Sequence, residues 1–194
     1  MLAGGASPDD LVRQWLDPTT QEVLQVGWHA TGILRPEGLH RKAHELVERF
    51  RPRVPFGLTL VEVPLMRLRL VRDSEITWQH LAATCSVPLC FPPVRIEGRY
   101  YVDGGLRGAL PLWAAEAMGA RRAIAINAWT KAPFRWLYKA IGRRPSAALQ
   151  VIRIEPSRDL GPLSTSMRWN EGNVRRWIEW GEQDANQAVT SITM

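Results

Sequence analysis

The 194-residue sequence has no apolar run of the length, about 18 residues or more, that a membrane-spanning helix needs. Its first stretch, MLAGGASPDDLVRQW, carries neither a basic start nor a long apolar core, which argues against a secretory signal there. A cytoplasmic chain, or one held peripherally at a membrane, is the expectation from those missing signals. Cysteine is scarce. The two present, Cys85 and Cys90, are spaced C-x4-C, which does not match a zinc knuckle, and no His or Cys cluster completes a site. Two buried free thiols in a reducing compartment are expected, with no metal and no cofactor. There is no internal repeat, low-complexity tract or long linker. There is also no glycine loop of the kind that cradles a phosphate, which argues against a nucleotide-binding domain.

What remains is globular. Hydrophobic residues make up 45% and charged residues 23%, enough for one domain over residues 1–194 with a core of its own. The formal net charge is +6, and it is concentrated. The segment TKAPFRWLYKAIGRRP holds Lys131, Arg135, Lys139, Arg143 and Arg144 with no acid. Read as a helix, it places Phe134, Leu137, Tyr138 and Ile141 in one stripe, with Lys131, Arg135, Lys139 and Arg143 along its flank. That pattern suits contact with an anionic lipid surface. It equally suits a surface helix whose stripe covers the core. No nucleic-acid partner is expected.

Elements follow from local chemistry. Ser7 caps a helix begun by Pro8, with Asp9 and Asp10 in its first turn. PEGLHRKAHELVERF is a second amphipathic helix. FGLTLVEVPLMRLRLV gives two strands parted around Pro64. A short helix is expected in EITWQHLAATCS. Val94 and Ile96, the turn Glu97-Gly98, and Arg99 to Val102 form a hairpin. Pro111 opens a helix that Gly119 closes. RAIAINAW reads as a strand buried on both faces, LQVIRIEP as another, and NEGNVRRWIEWGEQDANQAV as a terminal helix. Trp169, Trp177 and Trp180 are expected to pack that helix onto the sheet. Strands alternating with helices indicate an α/β fold with a largely parallel sheet.

Asp103 ends a strand and is followed by Gly104 and Gly105. Glycines there leave room for a close neighbour or a substrate, and strand ends are where active groups of open α/β sheets gather. Asp-Gly is also ordinary turn chemistry, with the carboxylate capping a backbone amide. His40 and His44, four apart on a helix, read as part of a solvated basic face more readily than as a metal pair. His29 and His80 have no recognisable partner.

The run from Ala83 to Trp129 resembles the patatin-like phospholipase family. Ser86-Val87-Pro88, Phe91-Pro92-Pro93, a hairpin with a glycine turn, Asp103-Gly104-Gly105, a proline-started helix and a buried strand occur in the family's order. Looser likeness extends over most of residues 1–190. The resemblance implies a patatin-like three-layer α/β/α fold and hydrolysis of lipid acyl esters by a serine–aspartate dyad. Asp103 would be the dyad base and Gly104 and Gly105 its motif glycines.

The family carries its nucleophile on a G-x-S-x-G elbow, and no such motif occurs in this sequence. Ser7 comes nearest, in Gly5-Ala6-Ser7, but Asp9 stands where the closing glycine would be, and Ser7 is a helix cap. The expectation is therefore a domain truncated at its N-terminus, lacking its first strands, oxyanion loop and elbow. Such a chain would be inactive alone. The alternative is a non-catalytic remnant of the fold that binds a lipid surface or a partner.

Overall fold

The computed structural model describes residues 1–29, 32–108, 110–128, 146–162, 165 and 168–193. They form two compact units, Met1–Arg107 and Gly108–Met194. The basic segment with Lys131, Arg135, Lys139 and Arg143 lies outside the described residues.

The first unit opens with α1 (Pro8–Leu16), closed by a capping box: the Asp10 amide donates to Ser7 Oγ at 3.1 Å and the Ser7 amide to Asp10 Oδ2 at 2.8 Å. Ser7 is a cap, as its sequence neighbours require. A 3-10 stretch over Pro18–Leu24 leads to a small irregular hairpin, β1 (Val26–His29) and β2 (Gly32–Leu34). The sequence pattern had not suggested this hairpin. Next, α2 (Pro36–Arg49) buries Leu39 and Ala43.

Four antiparallel strands make the main sheet: β3 (Gly57–Val63), β4 (Arg67–Arg72), β5 (Val94–Ile96) and β6 (Arg99–Asp103), in the order β4-β3-β6-β5. Leu60 and Val61 of β3, Val71 of β4, and Tyr101 and Val102 of β6 are buried, which makes the β3–β6 pair the centre of this core. The β5–β6 turn has positive φ at Glu97 (49°) and Gly98 (82°), the backbone of a two-residue hairpin turn. Between β4 and β5 lies α3 (Trp78–Ala83), packed against α2 and the sheet.

The second unit holds α4 (Leu112–Ala117), the parallel pair β7 (Arg122–Ile126) and β8 (Gln150–Ile154), and α5 (Glu171–Thr193). Gly119, at φ 93°, follows α4 where a left-handed residue ends a helix.

The mixed α/β composition matches the sequence reading, but the largely parallel sheet does not. Among the described residues β7–β8 is the parallel pair, and the other sheets are small and antiparallel. The cause is connection length. β3 to β4 and β5 to β6 are joined by tight turns, which dictate antiparallel pairing.

One further expectation fails. β7 is not buried on both faces: Ala125 is buried, while Ile124 and Ile126 are 67% and 72% exposed. α5 packs on β8 and buries Val174, while its Trp177 and Trp180 and the preceding Trp169 are half-buried, with the Arg158 and Arg176 guanidiniums 5.5 and 5.7 Å from the Trp180 ring.

Leu60 has no solvent exposure at the centre of the main sheet. Leu60→Ala is expected to lower stability by about 2–5 kcal/mol in urea unfolding. Ile124→Ala, on an open face, should shift it by no more than about 0.5 kcal/mol.

Candidate functional site

Asp103 is the last residue of β6, paired with Leu60 of β3. Its amide donates to the Ser86 carbonyl at 3.1 Å, which ties the strand end to the segment that follows α3. The chain then turns through a 3-10 segment, Gly104–Arg107, packed on β3. Gly104 is fixed by sterics. A Cβ there would stand 2.4 Å from both the carbonyl oxygen and Oγ1 of Thr59, so no side chain fits. A Cβ on Gly105 would meet Asp103 Oδ1 at 3.1 Å. Both motif glycines therefore mark close approaches, one of the turn to β3 and the other of the turn to the carboxylate.

The carboxylate is half-buried. Its Oδ1 accepts from the Gly105 amide at 2.7 Å. Burial pushes its pKa above the usual carboxylate value, and the Gly105 hydrogen bond only partly offsets this. A carboxylate moved that way is a stronger base toward a hydroxyl than one in water. One oxygen thus caps the local turn, as Asp-Gly chemistry allows.

The neighbours are a thiol and a hydroxyl. Cys85 is free and part of it reaches solvent, and Cys90 is free and half-buried, so the expected pair of buried thiols is corrected on exposure but not on oxidation state. Burial of the Cys85 sulfur raises its pKa; the contact from Thr84 offsets this in part, and the Asp103 charge adds a smaller rise. That makes Cys85 a poor thiolate nucleophile. Ser86 is 1% exposed and its Oγ donates to the Ala82 carbonyl at 3.0 Å, so its hydroxyl serves the backbone. Among the described residues, the hydrogen bond made by the Asp103 carboxylate is that to Gly105.

Other sequence candidates lie elsewhere. His40 and His44 lie tilted against the Trp78 ring, with centroids 5.4 and 6.0 Å away, and His44 Nδ1 is 3.3 Å from Glu48 Oε1. They join α2 to α3. A polar cavity of about 140 Å³, lined by Thr19, Glu22, Gly38, Arg41, Lys42 and Glu45, does not include Asp103, and its charges are paired, Arg41 with Glu22 and Lys42 with Glu45. Sequence reasoning missed Thr59, whose backbone dictates Gly104, because β3 lies more than forty residues upstream. It also missed Ser86 as the residue that holds Asp103.

Residues 43–116 match the family model described as patatin-like phospholipase. The matched stretch contains the Asp103-Gly104-Gly105 turn and the whole main sheet, and is shorter than the likeness drawn from the sequence motifs. Among curated proteins, none matches the chain. No helix among the described residues is long and apolar enough to cross a membrane.

Two outcomes follow from this geometry. Gly104→Ala should cost about 1–3 kcal/mol in urea unfolding, the usual cost of forcing atoms into a packed site. Asp103→Asn should behave in the opposite sense at neutral pH. The folded-state pKa lies above that of the unfolded chain, so the protonated group carries no penalty below about pH 4. Stability is then lost as pH rises through the folded-state value. Melting curves should show Asp103→Asn more stable than the native protein at pH 7, with the difference closing as pH falls below about 4.

Proposed function

We propose that this chain supplies the aspartate of a serine–aspartate acyl hydrolase acting on lipid esters. The observation that carries the reading is the half-buried Asp103 carboxylate at the end of an inner strand, its basicity raised by burial, within the stretch that matches the patatin-like phospholipase family. In such a dyad the carboxylate takes the proton of a serine hydroxyl as its oxygen attacks the ester carbonyl. It returns that proton to the departing alcohol, and water then releases the acyl group in a second, equivalent step. No histidine is required.

The hydroxyl is the other half. The 194 residues hold no G-x-S-x-G elbow, and Ser7 and Ser86 are committed to backbone contacts. We infer that the nucleophile, the oxyanion donors and the remaining strands of a three-layer sheet belong to a segment outside residues 1–194, which makes this chain the C-terminal part of a patatin-like domain. Lys131, Arg135, Lys139 and Arg143 are assigned to contact with anionic lipid, on the strength of their spacing alone. No metal or cofactor is needed by this chemistry.

A second reading is favoured by one observation. The Gly105 amide holds Oδ1, so Asp103 closes its own turn, and a remnant that keeps the fold for binding a lipid surface or a partner would keep that bond.

Two preparations separate the readings: residues 1–194, and the same residues extended by any open reading frame upstream of Met1. Hydrolysis of p-nitrophenyl butyrate and of phospholipid is expected only in the extended form, falling by about 10²–10⁴-fold in Asp103→Asn. Turnover that survives Asp103→Asn removes the carboxylate from the mechanism. Robust turnover by residues 1–194 alone, lost in Asp103→Asn, would place the serine within them. An upstream frame closed by a stop codon favours the binding remnant.

A further inference from the structure

Helix α3 has six residues, too few to stand without help at its ends. At its start the Thr77 amide donates to His80 Nδ1 at 3.2 Å, and Thr77 Oγ1 lies 2.9 Å from the same nitrogen. An amide can only donate, so Nδ1 is an acceptor and the neutral ring carries its proton on Nε2. His80 is 5% exposed, and Nε2 has no hydrogen-bond partner. The imidazole therefore fills the role that Glu or Gln plays three residues after a helix cap, reaching back to the capping amide. It does so only while uncharged.

At the other end of α3, Ser86 Oγ donates to the Ala82 carbonyl at 3.0 Å, and the Ser86 carbonyl accepts from the Asp103 amide at 3.1 Å. The helix thus links the Thr77–His80 contact to the backbone of the candidate carboxylate.

We propose that His80 is a positioning residue for Asp103, acting through α3 and Ser86, and that it holds this position only with its ring neutral. Protonation gives Nδ1 a hydrogen that faces the Thr77 amide. The amide loses its acceptor, and the ring is left to donate to the Thr77 hydroxyl.

The surroundings decide how the ring titrates. Burial opposes its charge, as does the Arg69 guanidinium of β4, while Glu97 in the β5–β6 turn and Glu75 after β4 favour it less strongly. Arg69 is itself bound to the Tyr101 hydroxyl at 3.1 Å and to Glu75 at 3.4 Å. From α2, His40 and His44 lie against Trp78. On β3 and β6, Glu62 and Arg99 pair with each other, Asp103 is bound to Gly105, and Arg95 of β5 is exposed. With the folded-state pKa below that of the unfolded chain, the stability His80 confers is present above pH about 6.5 and is lost as pH falls through the folded-state value.

The role of Asp103 in this inference rests on the catalytic reading, but the coupling of His80 to the Asp103 amide through α3 and Ser86 can be measured without it. His80→Gln is the discriminating variant, because Gln offers an acceptor at the same position and does not titrate. Between pH 7.5 and pH 5 the native melting temperature is expected to fall by on the order of 2–4 °C more than that of His80→Gln. Hydrogen-exchange protection of the Asp103 amide, corrected for intrinsic rates, should fall roughly tenfold over the same range in the native protein and stay level in the variant. Nitrogen-15 NMR of the native ring at pH 7.5 should show the proton on Nε2.

Equal pH responses in the two proteins, or a proton on Nδ1, would overturn the proposal. So would Asp103 protection that stays level in the native chain while its melting temperature falls, since the ring would then stabilise α3 without reaching the carboxylate. None of these results depends on hydrolysis, so the catalytic reading stands or fails separately.

Discussion

The close contact between Gly104 and Thr59 governs the site. Because no side chain separates the turn from β3, the chain leaving β6 folds back at once onto the strand beside it. Asp103 is left at the end of an inner strand, with Leu60 across from it and too little water to solvate its charge fully. Everything proposed for the carboxylate derives from that placement. A wider turn would return it to solvent and to ordinary acidity, and a bulkier one would push it off the sheet. The Gly105 amide supplies enough compensation for the group to be tolerated, and not enough to quench its basicity.

Around this point the first unit is organised as a relay of backbone contacts rather than as a cluster of side chains. The Asp103 amide, the Ser86 carbonyl, the Ser86 hydroxyl and the Ala82 carbonyl form a continuous path from sheet to helix. Trp78, gripped by His40 and His44, carries α3 onto α2. The backbone at Asp103 is therefore tied to a six-residue helix whose ends are both held by side-chain contacts, and a short helix of that kind is a natural place for a perturbation to enter.

Features set by nearby residues were legible in the sequence. Ser7-Pro8-Asp9-Asp10 announces a capped helix, Glu97-Gly98 a hairpin turn, and Asp103-Gly104-Gly105 a strand end with space beside it, because each depends on atoms a few residues apart. The long-range order was not legible. Nothing in β3 or β6 states that they pair, and the apolar run of β7 shows that its residues avoid water without showing what covers them. The β1–β2 hairpin escaped notice because its strands are short and its register is irregular. His80 escaped because T-x-x-H is a cap signature only when the imidazole is read as an acceptor; the sequence Thr77-Trp78-Gln79-His80 contained the clue.

The parallel pair of the second unit has its own physical consequence. Ile124 lies opposite Ile152 and Ile126 opposite Ile154, so four isoleucines share a face, with the two on β7 well exposed. Water ordered over such a surface makes the protein's colloidal behaviour sensitive to the identity of dissolved salts as well as to their ionic strength. Sulfate, excluded from apolar surface, drives these faces toward whatever can cover them, whereas guanidinium solvates them. Handling conditions thus act directly on this strand pair, through the solvent rather than through any bond within the fold.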